Sequence, residues 1–91
     1  MQTTDRTRGG AGREIARARG RLLRVRAELG AEAAAFDDAR LRMLVSETPV
    51  AGVALHERAA RLGRLRTAVH EAERRLLLLW EEGETGRSPG P

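Results

Sequence analysis

The sequence predicts an all-α protein: a two-helix antiparallel coiled-coil hairpin with helices over about 13–46 and 49–82, disordered termini and dimerisation into a four-helix bundle. Three observations carry this expectation. Apolar residues repeat every seven positions on both sides of one interruption. The interruption, Ser46-Glu47-Thr48-Pro49, has the chemistry of a helix stop and start. The charges along the chain match each other when it folds back at that point.

Residues 1–12, MQTTDRTRGGAG, are polar and glycine-rich and have no periodicity. They are expected to form a disordered basic arm. In the segment 13–46, Ile15, Leu22, Leu29, Phe36 and Met43 recur every seven residues, with Ala18, Val25, Glu32 and Ala39 falling between them. Only Glu32 is polar among these. A seven-residue apolar repeat is the seam of a coiled coil. Gly20 and Gly30 lie inside this segment, and Gly30 is the point at which it would divide if the fold were three shorter helices.

At the interruption, the residue before a proline resists the α conformation, so the first helix should end near Val45 or Ser46. Thr48 suits a helix N-cap and Pro49 the first helical position, where its fixed φ helps and its missing N–H is not needed. The second segment repeats Leu55, Leu62, Val69 and Leu76, with Arg58, Leu65, Ala72 and Leu79 three residues after each. Arg58 is the polar member. Gly52 and Gly63 lie inside this segment, and Gly83 is a natural helix stop before the tail GETGRSPGP, 83–91, which is expected to be flexible. Two helices of nearly equal length, ~50 Å each, joined by so short a turn lie antiparallel.

Folding at 47–48 sets residue i near residue 95 − i. The Arg-rich stretch 13–26 then lies beside 69–82, which carries Glu71, Glu73, Glu81 and Glu82. Each exposed pair contributes below ~1 kcal/mol, but the pattern selects orientation and register.

Composition narrows the function classes. The 91 residues carry a formal net charge of +4, with Lys+Arg 17 and Asp+Glu 13, and every basic residue is Arg. Lys, Asn and Tyr are absent and Ile occurs once, the signature of a GC-rich genome and so of a bacterial source. With no Cys, disulfides, zinc fingers and thiol chemistry are excluded. Aromatic residues make up 2%, Phe36 and Trp80, which argues against a stacking platform for single-stranded nucleic acid. The longest run of hydrophobic residues uninterrupted by glycine, 76–80, is far too short for a membrane span. No apolar stretch precedes Arg13, so no secretory leader is expected and the cytoplasm is the expected location.

Sites for chemistry do not assemble. His56-Glu57 and His70-Glu71 lack a second His at i+4, where Ala60 and Arg74 stand, so the metalloprotease helix pattern fails. Neither His has a Glu three residues before it, as a di-iron bundle requires. Asp37-Asp38 has no convergent partners, and Asp38 is spaced to pair with Arg42. Gly9-Gly10-Ala11-Gly12 lacks the Lys-Ser/Thr ending of a phosphate loop. The turn has no Trp-x-Gly, unlike small secreted actinobacterial hairpins. Its tip carries only Glu47, unlike the acidic tips of hairpins that enter the RNA polymerase channel. The absence of Lys separates the chain from helical chorismate mutases. The expectation is therefore a non-enzyme with no cofactor, no metal and no small-molecule substrate.

The apolar residues outside the seam point instead to a protein partner, either a second copy or another helical protein. In 76–80 a full helical turn is apolar all round, which one contact face cannot bury. Leu23, Leu77, Leu78 and Trp80 are the expected partner-binding surface at the open end. Leu41, Leu44 and Val45 lie off the seam near the turn. The bland alternative is that these are scattered surface residues. A second function class is nucleic-acid association through the basic arm and first helix, using Arg6, Arg8, Arg13, Arg17, Arg21 and Arg24. Residues 1–26 hold eight Arg against Asp5 and Glu14, and Arg17, Arg21 and Arg24 share one helix face. Membrane-surface binding is disfavoured because it would take the seam away from the partner helix.

Overall fold

The protein, seen in a computed structural model, is described for the backbone of residues 2–87 and the side chains of residues 10–83. It is an antiparallel hairpin of two helices, α1 (Gln2–Ser46) and α2 (Pro49–Arg87), packed along their length. The molecule is 67 Å long, 23 Å wide and 13 Å thick. The thin dimension is that of a single layer of helices. Every seam position of α1 named above is buried or half-buried, and on α2 only Arg58 is exposed. Leu22, Val25, Val69 and Ala72 form the core cluster, with Leu29, Ala68 and Leu76 packed against it. No described side chain is sealed completely from solvent.

The helices are longer than their apolar repeats. α1 begins at Gln2 and so includes the segment 2–12 expected to be disordered, and α2 passes through Gly83 to Arg87. Neither extension contains a proline, so every N–H needed for helical bonding is present. The expectation rested on missing apolar periodicity, which removes a packing partner but does not forbid the conformation. The remaining tail, 88–91, lies outside the described residues. At Gly30 α1 continues unbroken, so the three-helix alternative is not realised.

The turn consists of Glu47 and Thr48. The Glu47 N–H donates to the Met43 carbonyl (2.8 Å), and Glu47 takes a left-handed φ of 48°. This is a left-handed C-terminal cap, a position that glycine usually fills. Thr48 then caps α2: its Oγ1 accepts the Ala51 N–H at 3.1 Å, and its carbonyl accepts the Gly52 N–H at 3.0 Å. Pro49 occupies the first helical position, as its chemistry predicts. Gly52 is the glycine with a neighbour, since a Cβ there would meet the Met43 methyl at 3.8 Å. A Cβ at Gly20, Gly30 or Gly63 would meet open space, so close approach of the two helices does not require these glycines.

Candidate functional site

The polar exceptions of the two seams meet. Glu32 is the buried charged residue, and the Nη1 of Arg58 donates to both its carboxylate oxygens at 3.2 Å. Arg61 Nε lies 3.4 Å from the same carboxylate. A lone buried carboxylate would be costly, but here two guanidinium groups on the facing helix neutralise it. Each misfit was visible in the repeat as an isolated polar residue. Their pairing was not, because Arg58 reaches along the seam towards Glu32, about one and a half helical turns from the position that 95 − i assigns to it.

The two sides of the hairpin differ. Letter the heptads with Leu22 and Val69 at a, so that the seam is a and d. Across one side Arg26 pairs with Glu73 at 3.7 Å, both at e. On the other side Arg21, Glu71 and Arg75, at g and c, border a shallow depression floored by Ala18 and Ala72. Positions b and e therefore share one flat face, called here the Trp80 face, and positions c and g share the opposite one, the Arg21 face. Over residues 15–82 the Trp80 face carries six charged residues: Arg19, Arg26, Asp37, Arg40, Arg66 and Glu73. The Arg21 face carries twelve, namely Arg17, Arg21, Arg24, Glu28, Asp38 and Arg42 from α1 and Glu57, Arg61, Arg64, Glu71, Arg75 and Glu82 from α2. Near the centre of the Trp80 face Gly30, Ala33, Ala59 and Gly63 are small, with the exposed Arg66 standing level with Gly30.

Of the expected partner-binding residues, Leu23 is 60% exposed, Leu77 58%, Leu78 42% and Trp80 40%. Leu23, Leu77 and Trp80 lie together on the Trp80 face. Leu78, at c, turns towards the other face and joins Leu77 only across the outer ridge of α2, where both line a shallow depression with His70, Glu73, Arg74 and Glu81. Near the turn Leu41, Leu44 and Val45 are exposed, and so are Val50 and Val53, which the sequence reading did not single out. Their off-seam positions would have marked them had the heptad been continued to the turn.

Among the candidate nucleic-acid residues, Arg17, Arg21 and Arg24 are exposed and share the Arg21 face, interleaved with Glu28, Glu71 and Glu82. Arg13 is exposed and engaged in an interaction. The side chains of Arg6 and Arg8 lie outside the described residues. His56 and His70 are exposed on α2. Among the described residues no three acidic, His or Cys groups are placed to hold a metal ion, and no helix is long and apolar enough to cross a membrane. Comparisons with known protein families, with curated proteins and with solved structures return no match to this chain.

Proposed function

We propose that the hairpin is a non-enzymatic self-association module, one half of a four-helix bundle formed by two copies. The observation that carries this is the exposure of Leu23, Leu77 and Trp80 on one face of a layer only 13 Å thick. A two-helix layer buries one seam, and large apolar side chains at its flank become buried when a second layer covers them. Closed two-fold pairing is the commonest way for such a layer to find cover. The test is the solution mass of the full chain by light scattering from low to high micromolar concentration. The expected result is twice the 10.0 kDa chain mass, reverting towards one chain in Trp80→Ala and Leu77→Glu. A folded monomer throughout the range overturns self-association.

One observation favours a second reading, nucleic-acid association: Arg17, Arg21 and Arg24 stand exposed together on the Arg21 face. The acids among them weaken it, because they repel the same phosphates. This reading predicts DNA retention that falls steeply with salt and is lost when the three arginines are replaced. Absence of retention at low salt rejects it.

A further inference from the structure

Resting on the self-association reading, we infer that the occupant of the Trp80 face is a second copy of the chain, stacked with both turns at the same end. The choice of face follows from charge. The Trp80 face carries half as many charged residues as the Arg21 face, and two of its six, Arg26 and Glu73, already pair with each other. Over residues 15–82, ~48 Å of helix in a layer 23 Å wide, the face offers on the order of 1,100 Å², against ~800 Å² per partner in a standard interface. Gly30 and Gly63 present no side chain there, which leaves Arg66 as the long side chain that a second layer must displace towards the rim.

The orientation follows from what meets what. A two-fold axis along the hairpin places α1 over the partner's α2 at the same height. Leu23, Leu77 and Trp80 of the two copies then cover one another at the open end. Glu73 falls beside Arg19 and Arg26 of the partner subunit. Stacking with the turns at opposite ends sets Arg19 near Arg40 of the partner subunit and brings the two Arg66 side chains together at the axis. It also leaves Trp80 over the residues around Pro49 and Gly52. Like charges approach in both arrangements, Arg66 lying near Arg26 of the partner subunit in the first, but only the first lets Leu23, Leu77 and Trp80 of the two copies cover one another.

Two variants at adjacent positions test the face. Gly30 belongs to the Trp80 face and Ala31 to the Arg21 face, both are exposed, and Arg is a good helix former at either site. Gly30→Arg is expected to weaken dimerisation at least ten-fold with helicity retained, and Ala31→Arg to leave it unchanged. The chain has no Cys, so Ser46→Cys gives one spin label at the tip. In the inferred dimer the two labels lie within about 30 Å, because packed helices are only ~8–10 Å apart. With turns at opposite ends, in the register just described, they are separated by about 50 Å. A wild-type monomer overturns self-association itself. A wild-type dimer that Ala31→Arg disrupts and Gly30→Arg does not, or one whose tip labels are about 50 Å apart, overturns this inference and leaves self-association standing.

Discussion

The two halves of the hairpin are packed differently, and the tighter half is the one farther from the turn. At the open end Leu22, Val25, Val69, Ala72 and Leu79 are buried. Between Glu32 and the turn only Leu62, nearly level with Glu32, reaches that state; Phe36, Ala39, Met43 and Leu55 are half-buried. The Arg58 position explains part of this. A guanidinium stands in the seam where an apolar side chain would have packed beside Phe36, and it leans away towards Glu32. The turn brings its neighbours close at little entropic cost, yet closeness in sequence does not make a core. The open end must hold itself together across a long loop, and it has the larger apolar layers to do so.

The sharpest way to break this comparison is to truncate one seam residue in each half. Leu22→Ala removes a side chain from the core cluster and should destabilise by ~3 kcal/mol. Met43→Ala, half-buried beside Gly52, should cost about 1 kcal/mol, because less apolar surface returns to water. Urea unfolding at one fixed protein concentration separates them, since association would otherwise shift both midpoints. Equal losses would mean that the halves are packed alike.

The boundary between the halves is the Glu32 cluster, and its two sides should respond with opposite sign. Arg58→Leu leaves the buried carboxylate with Arg61 alone, whose side chain is 63% exposed, and should cost ~2 kcal/mol. Glu32→Leu removes the buried charge and completes the apolar seam, while Arg58 and Arg61 turn to water. That change should be neutral or stabilise by about 1 kcal/mol. If uniqueness of register is what the pair supplies, the Glu32→Leu hairpin will be stable but will cross-link in more than one alignment when single cysteines are placed on each helix. A single alignment in Glu32→Leu would reduce the pair to an electrostatic accommodation.

At the turn itself the effect is smaller and local. Thr48→Ala deletes the hydroxyl that accepts the Ala51 N–H and should cost ~1 kcal/mol, with Thr48→Ser close to wild type. Thermal unfolding of the pair would show it. A neutral Thr48→Ala would mean that α2 is started by Pro49 alone.

Much of this architecture was legible in the residues. The seven-residue repeat identified the seam because burial on a coiled coil follows period, not composition. Thr48-Pro49 located the turn because cap and first-position chemistry are specific to those residue types. The outer helix ends were not legible: 2–12 and 83–87 lack apolar periodicity but contain no proline, and Gly83, expected as a stop, is passed in helical conformation. Glu47 in a left-handed conformation was not legible either, since the usual signal there is glycine. The residues proposed for a partner surface could be read from the sequence as off-seam positions, but not assigned to a face. Separating Leu78 from Leu23, Leu77 and Trp80 needed the Arg26–Glu73 contact to show which flanks of the two helices adjoin.

The least of the expected effects comes from two opposite substitutions, one in each half. Glu47 holds a φ of 48°, a conformation that strains any residue with a Cβ. Glu47→Gly relieves the strain, loses some of the gain to a freer unfolded chain, and should stabilise by ~0.5 kcal/mol. Gly20 lies in the open half with ordinary helical φ and empty space where its Cβ would be. Gly20→Ala therefore restricts the unfolded chain with no clash in the folded one, and should also stabilise by ~0.5–1 kcal/mol. The same residue type is favoured at one site and disfavoured at the other, because backbone conformation, not exposure, decides. Thermal melting of both variants and their combination should show two small additive gains, since the sites are far apart. A loss in Glu47→Gly would place the value of that side chain in its charge near the start of α2, where a carboxylate favours the helix dipole.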